Sequence, residues 1–75
     1  MKEFKVTFIW DSDEDRWHTS CRELGLTLEH GSFDALVERV KIAALEMAEL
    51  NFNYTGEIRL IFETERVEKL RAVTA

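Results

Sequence analysis

The sequence predicts an α+β fold, a two-layer sandwich with element order β-β-β-α-β. Three observations carry that prediction. Apolar residues alternate at period two near the N-terminus. They switch to a helical period after Ser32, and they return to period two after Gly56.

The first strand is read over Glu3 to Trp10. Phe4, Val6, Phe8 and Trp10 share one face, and Lys5, Thr7 and Ile9 share the other. The stretch "DSDED" follows as a hairpin tip. A second strand spans Arg16 to Arg22, with Trp17, Thr19 and Cys21 on one face and His18 and Ser20 on the other. A turn at Gly25 leads to a short third strand, Leu26 to His30, so the three strands can form an antiparallel meander. Ser32 is a fitting N-cap and Asp34 suits the first turn of a helix. At 100° per residue, Phe33, Leu36, Val40, Ala43, Ala44, Met47 and Leu50 form one apolar face. Asn51 and Asn53 can end the helix. The fourth strand is read over Glu57 to Thr64. Residues 1–64 form one domain, and 65–75 a tail or short helix. Trp10, Trp17, Val40 and Phe62 are expected to lie buried between helix and sheet.

Composition bounds the function. The chain has 75 residues with a single cysteine, so no intrachain disulfide can form, and one free thiol fits the reducing cytoplasm. Its apolar runs are too short to span a membrane, and "MKEFKVTF" lacks the apolar block of a signal peptide. Ten basic residues against fifteen acidic give a net charge of −5, with the basic residues scattered. That disfavours direct nucleic-acid binding, which rests on a basic patch against phosphates, and it is compatible with a basic protein partner.

The acidic tip raises the question of metal. Asp11, Asp13 and Asp15 open like a calcium loop. Such a loop needs glycine at its sixth position and glutamate at its twelfth, between two helices. Here those positions hold Arg16 and Arg22, and the flanks are strands. The tip therefore reads as a solvated turn. His18 and Cys21 have a zinc-like spacing but face opposite sides of a strand. Cys21 reads as a core residue and His18 as solvent-facing. The three glycines are too far apart for a phosphate loop. No catalytic, cofactor-binding or metal-ligating set is assigned. One feature is less bland. Ile42 and Leu45 project away from the apolar helix face, bordered by Glu38, Lys41 and Glu49, and together they make a candidate interface.

The run "FIWDSDEDRWHTSCRELGLTLEHGSFDALVERVKIAALEM" resembles the HicB-like antitoxin superfamily. The matching residues are Trp10, Asp11, Trp17, Ser20, Gly25, Leu26, Ser32, Phe33 and Leu36. The likeness runs from Phe4 to Phe62 and departs at Leu24, where relatives usually place proline. It implies a partial ribonuclease H-like fold with sheet order 3-2-1-4. It also implies neutralisation of a small basic ribonuclease toxin. The operator-binding segment of many relatives is not carried over, since little chain follows Thr64. The expected function is thus a protein-binding module, antitoxin-like rather than enzymatic, acting alone or as a homodimer. Two alternatives stand beside it. A metal-dependent nuclease would require acids to converge, yet Asp11 and Glu63 lie at strand ends. A small-ligand module would use Lys5, Thr7, His18, Ser20 and Arg59 on the open sheet face.

Overall fold

The computed structural model describes residues 1–73. Strand β1 runs Lys2–Asp11, β2 Arg16–Cys21, β3 Leu26–His30, helix α1 Phe33–Phe52, and β4 Ile58–Glu65. The sheet order is β3-β2-β1-β4. β1–β2 and β2–β3 are antiparallel and β1–β4 is parallel, so the sheet is mixed. The α+β class and the strand order are those expected.

Turns close where the local chemistry allows. Asp11 Oδ1 accepts the backbone N–H groups of Asp13 and Glu14 at 3.0 and 3.2 Å. Asp15 then takes a left-handed φ of 55°, which aspartate tolerates better than most residues. The second turn uses Gly25 at φ 66°. Ser32 Oγ accepts the Ala35 N–H at 3.2 Å and caps α1. Asn53, at φ 52°, ends the helix. Its N–H donates to the Glu49 carbonyl, and the Tyr54 N–H donates to that of Ala48.

The core lies between α1 and the inner sheet face. Phe4, Val6 and Phe8 of β1, Cys21, Leu24 and Leu26 meet Leu36, Val40, Ala44 and Ala48. Leu24 was not expected there. It comes from the turn that departs from the HicB-like pattern, and it is fully buried. Its carbonyl accepts a hydrogen bond from Asn51 Nδ2 at 2.8 Å, which ties the turn to the helix.

Several expectations need correction. Val40 is buried, but Trp10 and Trp17 are only half-buried and Phe62 is 36% exposed. Phe62 stands on β4, an edge strand with a neighbour on one side only, whereas Ile58 and Leu60 of the same strand pack against the core. The tryptophans sit at the end of the sheet, edge to face with each other, with Trp17 against Phe33. Leu50 is 77% exposed while Ala48 is buried. The row Leu36–Val40–Ala44–Ala48 faces the sheet, and Leu50 stands about 100° around the helix from its centre. Glu65 belongs to β4, and residues 66–73 carry neither helix nor strand. The rest of the expected tail, 74–75, lies outside the described residues.

Candidate functional site

Two surfaces hold the residues that could act on something else. The first is the outer side of α1. Ile42 and Leu45 are 63% and 56% exposed. They are beyond the reach of the sheet because the opposite side of the helix is already committed to the core. Glu38 and Lys41 pair with each other at 3.0 Å beside them, and Glu49 is exposed one turn on. The two apolar residues do not project identically. Leu45 also borders a cleft between α1 and the start of β4, shared with Ala48, Tyr54 and Ile58. The apolar strip therefore continues off the helix toward β4.

The second surface is the open sheet face at the β1–β2 hairpin. In this register Ile9 lies opposite His18, and His18 opposite Glu29. His18 Nδ1 is 3.3 Å from Glu29 Oε2. His18 Nε2 is 3.3 Å from Glu14 Oε2 and 3.6 Å from Asp11 Oδ2. Arg16 holds the other oxygen of Glu29 at 2.8 Å. His18 is therefore half-buried among three carboxylates rather than simply facing solvent. Its Nε2 is shielded from water yet makes no well-formed hydrogen bond among the described residues. Asp11, Glu14 and His18 bring one ligand atom each within 4.8 Å of one another. Asp13 and Asp15, the other acids of the calcium-like pattern, stand outside this group. Sequence spacing missed the cluster because it needs the hairpin register. Pairing Asp11 with Arg16 would have revealed it, since that pairing sets His18 diagonal to Asp11.

Cys21 is buried in the core on the other side of the sheet from His18, so the two do not share a site. The acids weighed for nuclease chemistry are also separate. Glu63 lies opposite Thr7 and is 3.5 Å from Lys5. Asp11 is four residues farther along β1, about 13 Å at strand rise. The clefts between α1 and β4 and between the hairpin and residues 67–69 are not lined by Lys5, Thr7, Ser20 or Arg59, the polar set of the small-ligand reading. No helix among the described residues is long and apolar enough to cross a membrane.

No protein-family model matches the chain, and no curated protein matches it. It is similar in structure to the hypothetical protein TTHA1013 from the extremely thermophilic bacterium Thermus thermophilus. The TM-score is 0.66 at 21% sequence identity, covering 95% of this chain and 100% of that one. The likeness extends over the whole two-layer fold.

Proposed function

We propose that this chain is a protein-binding module of the HicB-like antitoxin kind, acting in the cytoplasm by covering a partner protein rather than by catalysis. The observation that carries the reading is the exposure of Ile42 and Leu45 on a helix whose other face is saturated by the core. Two large apolar side chains one turn apart favour contact with another chain. Glu38, Lys41 and Glu49 supply a polar border that can set orientation. The net charge of −5 suits a basic partner, as does the carboxylate-rich hairpin. The small basic ribonuclease toxin implied by the HicB resemblance has that character.

The test is co-expression with a small basic ribonuclease encoded beside this chain. The wild type should restore growth and co-elute with the toxin. The Ile42→Gln, Leu45→Gln double variant should fold normally, because neither residue belongs to the buried core, and should lose both effects. A wild-type chain that neither binds nor neutralises such a protein overturns the antitoxin reading. Full binding by the folded double variant moves the contact surface off α1.

A further inference from the structure

β4 is an edge strand. It pairs with β1 along its whole length and with no other strand among the described residues. Edge strands present unpaired N–H and C=O groups to other chains. Proteins blunt them with short length, proline, bulges, inward-pointing charge or charged side chains along the edge. β4 has only the last, in the exposed Arg59, Glu63 and Glu65. It is eight residues long, its register with β1 is unbroken, and the chain contains no proline. Its inward positions Ile58, Leu60 and Phe62 are apolar, and Phe62 is 36% exposed. The other edge differs. β3 has five residues, short enough to limit what it offers, and its Leu26 is buried in the core with Leu28 packed beside it.

We propose that β4 pairs antiparallel with β4 of a second copy, about a two-fold axis through Ile61, joining the two four-stranded sheets into one. A two-fold axis normal to the sheet keeps both inner faces on one side. Residues directly opposite then share a face, so their numbers sum to an even value. With Ile61 on the axis, Arg59 falls opposite Glu63 on the open face, and does so twice. Leu60 falls opposite Phe62 on the inner face, again twice. Ile61 meets itself. Ile58 falls opposite Thr64, so no like charges oppose each other from Ile58 to Thr64, and Glu65 meets Glu57 only at the frayed ends of the ladder, beyond the paired core. Glu63 already lies 3.5 Å from Lys5, so in the pair its carboxylate sits between two cations. The stretch Ile58–Thr64 is thus self-complementary in both charge and apolarity. This pairing is isologous and closes, whereas β3-to-β4 pairing would be head-to-tail and open-ended. It goes beyond the reading above and leaves the outer side of α1 free.

Sedimentation equilibrium over roughly 5 to 500 µM, which brackets a modest interface, provides the test. The wild type should be a dimer. Arg59→Glu and Glu63→Arg should each weaken dimerisation about tenfold or more, because each sets two like-charge pairs across the axis. An equal mixture of the two variants should associate again, since positions 59 and 63 then meet opposite charges across the axis. Circular dichroism checks the folds. If Glu63→Arg folds poorly beside Lys5, the exposed Arg59→Glu decides alone. The Ile42→Gln, Leu45→Gln variant should dimerise like the wild type, which separates this inference from the antitoxin reading. A wild type monomeric throughout the range overturns the proposal. So does a dimer of unchanged strength in folded Arg59→Glu, or one lost only in the helix variant.

Discussion

Leu24→Ala tests how the second turn holds the helix to the sheet. Leu24 is fully buried although it lies in a loop, and it belongs to the single cluster that includes Phe8, Leu36 and Val40. Truncation to alanine removes its buried methyl groups and leaves a cavity. Such changes cost about 2–5 kcal/mol. Met47 packs on the same cluster, and its flexible side chain can fill part of the void, so a value of about 3 kcal/mol is expected. A domain of this size has only about 4–11 kcal/mol of total stability. The loss should lower the melting temperature by roughly 12–24 °C. Leu50→Ala is the matched control, because it deletes the same atoms from a side chain that is 77% exposed. It should shift stability by less than about 0.5 kcal/mol. Thermal and urea unfolding followed by circular dichroism measure both. Equal shifts in the two variants would refute the placement of Leu24 in the core.

Thr19 is 1% exposed, and its hydroxyl has no hydrogen-bond partner among the described residues. Thr19→Val should therefore stabilise the fold by about 1 kcal/mol, visible as a higher urea midpoint; a lower midpoint would show that the hydroxyl is satisfied. Ser32→Ala removes the oxygen that accepts the Ala35 N–H and should cost about 0.5–2 kcal/mol in the same assay, with Ser32→Asp largely restoring it. Gly25→Ala meets only ordinary contacts, 3.9 Å to Met47 and Asn51, so its cost should reflect the left-handed φ alone, about 1 kcal/mol, in hydrogen-exchange or urea measurements. Millimolar calcium should leave the melting temperature unchanged, because calcium takes six to eight oxygens and this hairpin turns one Asp11 oxygen to backbone N–H groups and sets an imidazole beside the other. Tight stoichiometric binding by calorimetry, lost in Asp11→Asn, would contradict that.

The fold was legible where one physical signal dominated. Phe4, Val6 and Phe8 alternate without interruption, and the third strand is bounded by Gly25 and Gly31, so both elements could be read from side-chain period and turn chemistry alone. What the pattern could not supply was coverage. Phe62 carries the same alternation as Phe4, yet Phe4 is 4% exposed and Phe62 is 36% exposed, because Phe4 stands on a central strand flanked on both sides and Phe62 on the edge strand β4. Period tells which side of a strand is apolar, and only packing tells how much of that side is roofed. Leu24 is the converse case. It lies in a loop with no periodicity to mark it, and its side chain joins the apolar core where a hydrogen bond from Asn51 to its carbonyl ties the turn to α1. The candidate sites divide along the same line. Ile42 and Leu45 stood out because they break the helical period, a local property. The His18 cluster and the self-complementary edge of β4 depend on register, which links residues on different strands. A reading of one chain reaches such sites only after the strands are paired, and for β4 the pairing that matters is with a second molecule.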